Sequence, residues 1–225
     1  MADQRRRPAV RDYDQNVFIN CPFDDSYEPL FRALVFTVFD CGLVPRCAKE
    51  AYDSGSVRIE KIIALIRQCR FGIHDISRTE VNEAGLPRFN MPLELGLFLG
   101  AARFGAAEQR RKSCLILDRD KFRYQAYISD IAGQDIHAHA NQPDQAIRAT
   151  RDWLVSAEAP SRDMPSSTDI ARRYAQFQSE LPAICVETRR LSSELTFVEF
   201  AAIAERWLRR ELALAAGPLE GAGSD

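Results

Sequence analysis

Glu94 is the residue whose surroundings most demand a chemical reason. It stands in Asn90-Met91-Pro92-Leu93-Glu94-Leu95-Gly96-Leu97-Phe98-Leu99-Gly100, an otherwise apolar stretch. An unpaired buried charge is costly, so a carboxylate at this place needs a compensating partner. The positive end of a helix supplies one, because it stabilises an anion in the first turn. A pocket supplies another, because there the carboxylate can meet the hydroxyls of a sugar. The plain alternative is a carboxylate that only satisfies helix amides.

Further polar residues fall at the ends of apolar runs. Asn20, Cys21, Pro22, Phe23 and Asp24 follow the run Val17-Phe18-Ile19. Ser54-Gly55-Ser56 precedes a helical stripe that begins with Arg58. Turn amides and a guanidinium can hold a phosphate there, although short Gly/Ser turns commonly do no more than start a helix. Asp75 and Ser77 end the run Gly72-Ile73-His74-Asp75-Ile76-Ser77, and Asn90 leads into the Glu94 segment. Strand alternation sends His74 away from Asp75, which suits a packing role for the histidine. Asp75 either caps a turn or points into a ligand crevice. His137 and His139 share one side of a strand, but no third ligand accompanies them, so a metal site is not expected.

These residues need elements to hold them. Strands are expected over Val17–Asn20, Leu43–Cys47, Arg70–Ile76, Ser113–Leu117 and Asp135–Ala138. Helices are expected over about 27–40, 57–68, 92–103 and 143–155, the first capped by Asp24, Asp25 or Ser26. Alternation at this spacing predicts an open, mostly parallel five-stranded sheet with helices on both faces, an α/β fold whose ligands bind at the carboxyl ends of the strands. Two more helical segments, 169–180 and 196–213, are expected after a Pro/Ser-rich stretch. The predicted organisation is a tail over 1–15, the α/β domain over 16–157, a linker over 158–168, a helical segment over 169–215 and a tail over 216–225. The stripe Phe197, Phe200, Ile203, Trp207 and Leu208 is more than a small domain needs for its own core, which points to a homo-oligomer. Gly96 and Gly100 allow their helix a close approach to the sheet or to a partner.

Composition narrows the function classes. The 225 residues carry 30 basic and 32 acidic side chains, a net charge of −2. Nucleic-acid binders usually show a basic excess, so that class is not favoured. No apolar run is long enough to span a bilayer, and the Arg-rich start lacks the apolar segment of a secretory signal. The six cysteines are scattered without close pairs, which suits buried, reduced thiols in a cytoplasmic protein.

The Asn90–Phe98 segment resembles the N-x-x-x-E-L-G-x-F segment of bacterial TIR-like nucleotide-binding domains, and also the E-x-G-x-A segment of nucleoside 2-deoxyribosyltransferases. Val17–Phe23 resembles the first strand and following Pro-Phe of the deoxyribosyltransferases. Gly55-Ser56-Val57-Arg58-Ile59-Glu60-Lys61 is similar to the G-x-x-I-x-E-K turn of the TIR-like group. The match spans about residues 16–155. It implies a flavodoxin-like sheet and cleavage of an N-glycosidic bond with Glu94 as the catalytic carboxylate. By the same resemblance Asp75 helps hold the nucleoside. The implied substrate-binding set is Asn20, Pro22, Phe23, Ser54, Gly55, Ser56, Arg58, Asp75, Ser77 and Asn90. NAD is then a substrate rather than a cofactor, no metal is needed, and an antiphage-defence effector with a sensor protein as partner is the implied setting. Two alternatives stand beside it: a nucleoside or nucleoside-monophosphate transferase or glycosidase, and a non-catalytic nucleotide-sensing module.

Overall fold

The computed structural model describes residues 13–50, 54–80, 85–160 and 164–215. In chain order it contains β1 (Asn16–Asn20), α1 (Glu28–Asp40), β2 (Val44–Arg46), α2 (Arg58–Arg67), β3 (Phe71–Asp75), α3 (Asn90–Phe104), β4 (Ser113–Asp118), β5 (Ile136–Ala138), α4 (Pro143–Ser156), α5 (Ser167–Glu187) and α6 (Phe197–Ala215). The strands pair in the order β2-β1-β3-β4-β5, and every pairing is parallel. This is a flavodoxin-like α/β sheet. Its order reverses between β1 and β3, so the crevice open to ligands lies beyond Asn20 and Asp75.

Alternation along the strands divides the core. Val17, Ile19, Phe71, Ile73, Leu115 and Leu117 face α1 and α4. Phe18 joins Ile62, Ile66 and Phe98 of α2 and α3 on the opposite face. Ile116 packs there with Met91 and Leu95 of α3. Pro45 lies in β2, where an edge strand tolerates a missing N–H. Gly42 closes α1 at φ 76°, with Leu43 N–H reaching back to the Val38 carbonyl at 3.0 Å.

The start of α1 departs from expectation. Its N-cap is Tyr27, which gives no side-chain cap, and Pro29 occupies the first turn, where its absent N–H goes unmissed. Asp24 is drawn elsewhere, accepting from Ser26 at 2.7 Å and Arg88 at 3.0 Å. Tyr13–Gln15, expected within the tail, form a 3-10 turn. The Tyr13 hydroxyl donates to the Glu108 carbonyl, and Asp14 pairs with Arg111 at 2.7 Å. The rest of the expected N-terminal tail, residues 161–163 of the expected linker and residues 216–225 lie outside the described residues.

The two C-terminal helices pack on α1. Phe36 of α1 stacks on Phe177 of α5 at 5.3 Å and meets Trp207 of α6 at 6.0 Å. Arg173 clasps the buried Asp40 carboxylate through two hydrogen bonds of 3.0 Å. Phe197, Phe200, Ile203, Trp207 and Leu208 are buried in the same core as α1. The apolar stripe is therefore covered within the chain, and the expectation of a homo-oligomer loses that support.

Gly72 makes a tight sheet–helix contact possible. A Cβ there would lie 2.7 Å from His74 Nε2 and 2.8 Å from the Phe98 ring, both buried. Gly72→Ala is expected to cost roughly 1–3 kcal/mol through overpacking. Urea unfolding checks this, with the midpoint falling and the slope unchanged.

Candidate active site

The N-terminal turns of α2 and α3 meet at the carboxyl edge of the sheet. Between them lies a pocket of about 170 Å³, lined by Arg58, Ile59, Ile62, Asn90, Leu93 and Glu94. Three residues expected on chemical grounds, Arg58, Asn90 and Glu94, thus converge. Glu94 is only 7% exposed, and among the described residues none gives its carboxylate a hydrogen bond or an ion pair. Burial pushes its pKa up to about 7, and the Arg58 charge works the other way. Glu94 does not satisfy helix amides. It is a largely buried acid at a pocket wall, with Ile59, Ile62 and Leu93 beside it and Arg58 in the same lining.

The position of α3 depends on Asn20. Its side-chain amide donates to the Met91 carbonyl at 2.9 Å and to His74 Nδ1 at 3.0 Å. Asn20 was expected to bind substrate; it instead fastens the first turn of α3 to the end of β1. The bond to Nδ1 places the His74 proton on Nε2. Burial pushes the His74 pKa down to about 3, so the ring stays neutral between Phe18 and Phe98. Packing is its role, as alternation predicts.

Asp75 and Ser77 do not line the pocket. Alternation turns Asp75 to the α1 face, where it is fully buried. The Tyr27 hydroxyl donates to its Oδ2 at 2.5 Å, and the Ser77 amide to its Oδ1 at 2.8 Å. His139 Nε2 lies 3.0 Å from Oδ2, close enough for an ion pair but not aligned as a hydrogen bond. Asp75 therefore caps a turn and knots β3, α1 and the segment after β5. The Ser77 hydroxyl is buried without a hydrogen-bond partner among the described residues. Asp118 has a similar role at the end of β4, held by Arg123 at 2.7 Å and by the Tyr127 hydroxyl at 3.0 Å. His137 and His139 do not share a side, since His137 is half exposed and His139 is buried past the strand end. Among the described residues no three His, Cys, Asp or Glu side chains gather as a metal site.

Pro22 is buried, and Phe23 belongs to a different cleft. That cleft, about 750 Å³, runs between the β1–α1 loop and the α5–α6 loop, with Lys49 over the Phe23 ring at 4.7 Å. Its Glu28 and Arg32 are spent on each other at 2.8 Å. Ser54, Gly55 and Ser56 are exposed just ahead of Arg58, beside the pocket but not in its wall. Across the crevice, Arg88 of the β3–α3 loop grips Asp24 of the β1–α1 loop. Asp24 is partly buried, which works against ionisation. The bonds from Ser26 and Arg88, with Arg78 nearby, nonetheless hold its pKa below the usual value.

Tyr27, Ile59, Ile62 and Leu93 are not among the site residues expected from the sequence. Ile59 and Ile62 were visible as a helical stripe, but nothing in a stripe tells which members wall a pocket. Tyr27 meets Asp75 across 48 residues, a pairing that only the fold creates. All six cysteines are free, and five are buried. No helix among the described residues is long and apolar enough to cross a membrane. Comparisons with protein-family models, with curated proteins and with solved structures give no match.

Proposed function

We propose that the pocket between α2 and α3 cleaves the N-glycosidic bond of a nucleotide, with NAD the first candidate substrate. The observation that carries this is the Glu94 carboxyl, buried at the pocket wall without a partner among the described residues. About 170 Å³ accommodates part of a nucleotide, a sugar or a ring, and not the whole, since drug-sized ligands fill pockets of about 300–1,000 Å³. The remainder extends past the mouth, where Arg58 and the Ser54–Ser56 turn receive phosphate. Asn90 offers an amide to the sugar or base. The resemblance of Asn90–Phe98 to TIR-like and deoxyribosyltransferase segments supports the same role for Glu94.

In the reaction the bond from ribose C1′ to the nicotinamide nitrogen breaks. The ring takes the electron pair and leaves neutral. Water attacks C1′ and releases a proton, giving ADP-ribose and nicotinamide. Ionised Glu94 stabilises the oxocarbenium-like transition state, so no strong general acid is required.

Purified protein incubated with NAD is expected to release nicotinamide, and Glu94→Gln to slow release by about 10²–10³ or more. Because burial raises the Glu94 pKa to about 7, kcat/KM for NAD should climb through that pH and level off above it. No release from NAD at any pH overturns the NAD assignment.

The same raised pKa favours a second reading, a glycosidase or transferase acting on neutral nucleosides. A carboxyl that keeps its proton near neutrality can protonate a departing base. That role gives the opposite pH limb, with activity on deoxynucleosides falling above about pH 7. A nucleotide sensor would bind without releasing any base.

A further inference from the structure

We infer that the outer face of α3 is a self-association surface, on which a second copy of this chain crosses antiparallel. A helix on a sheet normally turns a charged face to solvent. α3 does not: between Asn90 and Phe104 its only charges are the buried Glu94 and Arg103 near its end. Phe89, Leu93 and Phe104 are 63%, 56% and 88% exposed. With Gly96 and Gly100 they fall at intervals of four, three, four and four, one stripe along the helix. Of the two close approaches these glycines allow, the one to the sheet is not found, because a Cβ at either would meet nothing within 4 Å.

The stripe complements itself. Two glycines make a flat notch at the middle, and bulky side chains stand at both ends. A two-fold axis over the notch lets the backbones approach and brings Phe104 to the partner's Leu93, an isologous contact. The direction follows from charge. A parallel pairing sets the two Arg103 side by side, whereas the antiparallel crossing separates them by about 15 Å along the axis. Area points the same way. Phe89 and Phe104 alone offer roughly 200–400 Å². Leu93 and the notch bring the strip into the range of about 300–600 Å² that marks the largest patches on monomers. Doubled over two copies, such a strip reaches at its upper end the ~1,200 Å² of total buried surface at which specific interfaces begin.

Sedimentation equilibrium on the full chain tests this without any activity readout. Wild type at tens of micromolar is expected at twice the 25.4 kDa chain mass. Phe104→Glu is expected at the chain mass. Gly96→Ala guards against misfolding as the cause. A helical alanine facing open space supports the fold better than glycine does, yet its methyl blocks close approach and should weaken association at least tenfold. Val186→Glu, on an exposed site of α5, should leave the dimer intact. A monomeric wild type at these concentrations, or a dimer indifferent to both α3 variants, overturns the proposal.

Discussion

Glu94→Gln is expected to make the protein more stable while it removes the activity. The folded chain holds the Glu94 proton at about 7, against 4.5 for an ordinary glutamate, because burial disfavours the charge. Ionising Glu94 therefore opposes folding. The opposition is absent below about pH 4.5, grows between about 4.5 and 7, and is constant above 7, where it amounts to about 3 kcal/mol. Glutamine carries no charge at any of these pH values. At pH 8 the variant should melt roughly 5–10 °C above wild type. At pH 4.5 most of that gap should vanish. Thermal unfolding at the two pH values, run beside the nicotinamide assay, reads both halves at once. A variant less stable than wild type at pH 8 would show that Glu94 has a partner and serves the fold. Strain held at a site in exchange for function is a common pattern, and here it would be stored as desolvation.

The second large effect is expected at Asp75, and it is structural. Asp75→Ala strands the Tyr27 hydroxyl and the Ser77 amide, both buried, and leaves His139 Nε2 without its neighbouring carboxylate. Each unsatisfied buried group costs about 1–3 kcal/mol, so the total is on the order of 4–6 kcal/mol. That is a large part of the ~5–15 kcal/mol by which a domain is stable. The alanine variant should accumulate poorly or unfold at less than half the wild-type urea midpoint. Asp75→Asn keeps one acceptor and should recover part of the loss. Because Asp75 does not line the pocket, the folded fraction of Asp75→Asn should keep its KM for NAD within about threefold, on the order of 0.7 kcal/mol. Full stability with a KM raised more than tenfold would return Asp75 to the substrate site implied by resemblance.

The two residues also show how far local sequence reaches. Glu94 was legible because a lone carboxylate among Leu93, Leu95, Leu97 and Phe98 is costly wherever the helix packs. Asp75 was ambiguous because an aspartate at a strand end caps a turn and binds a ligand equally well. Its partners, Tyr27 and His139, lie 48 and 64 residues away in the chain. The apolar periods of the strands and helices, and hence the α/β class, are local properties, and they appear in the residues themselves. So does the end of α1 at Gly42, since a left-handed backbone there suits glycine.

Other features depended on which faces meet. Val17 and Phe18 look alike in sequence, yet one packs under α1 and the other under α2 and α3, because successive strand side chains point to opposite faces. The same rule sends Asn20 to the α3 side and Asp75 to the α1 side, which divides the expected substrate set between two faces of the sheet. The stripe on α6 could as well have bound a partner; only the placement of α5 and α6 on α1 shows it covered. The glycines of α3 read as packing residues until the fold turned them outward. Composition and period determined the elements and the one costly acid. The tertiary structure decided what that acid faces, since burial and partnership depend on residues far apart in the chain.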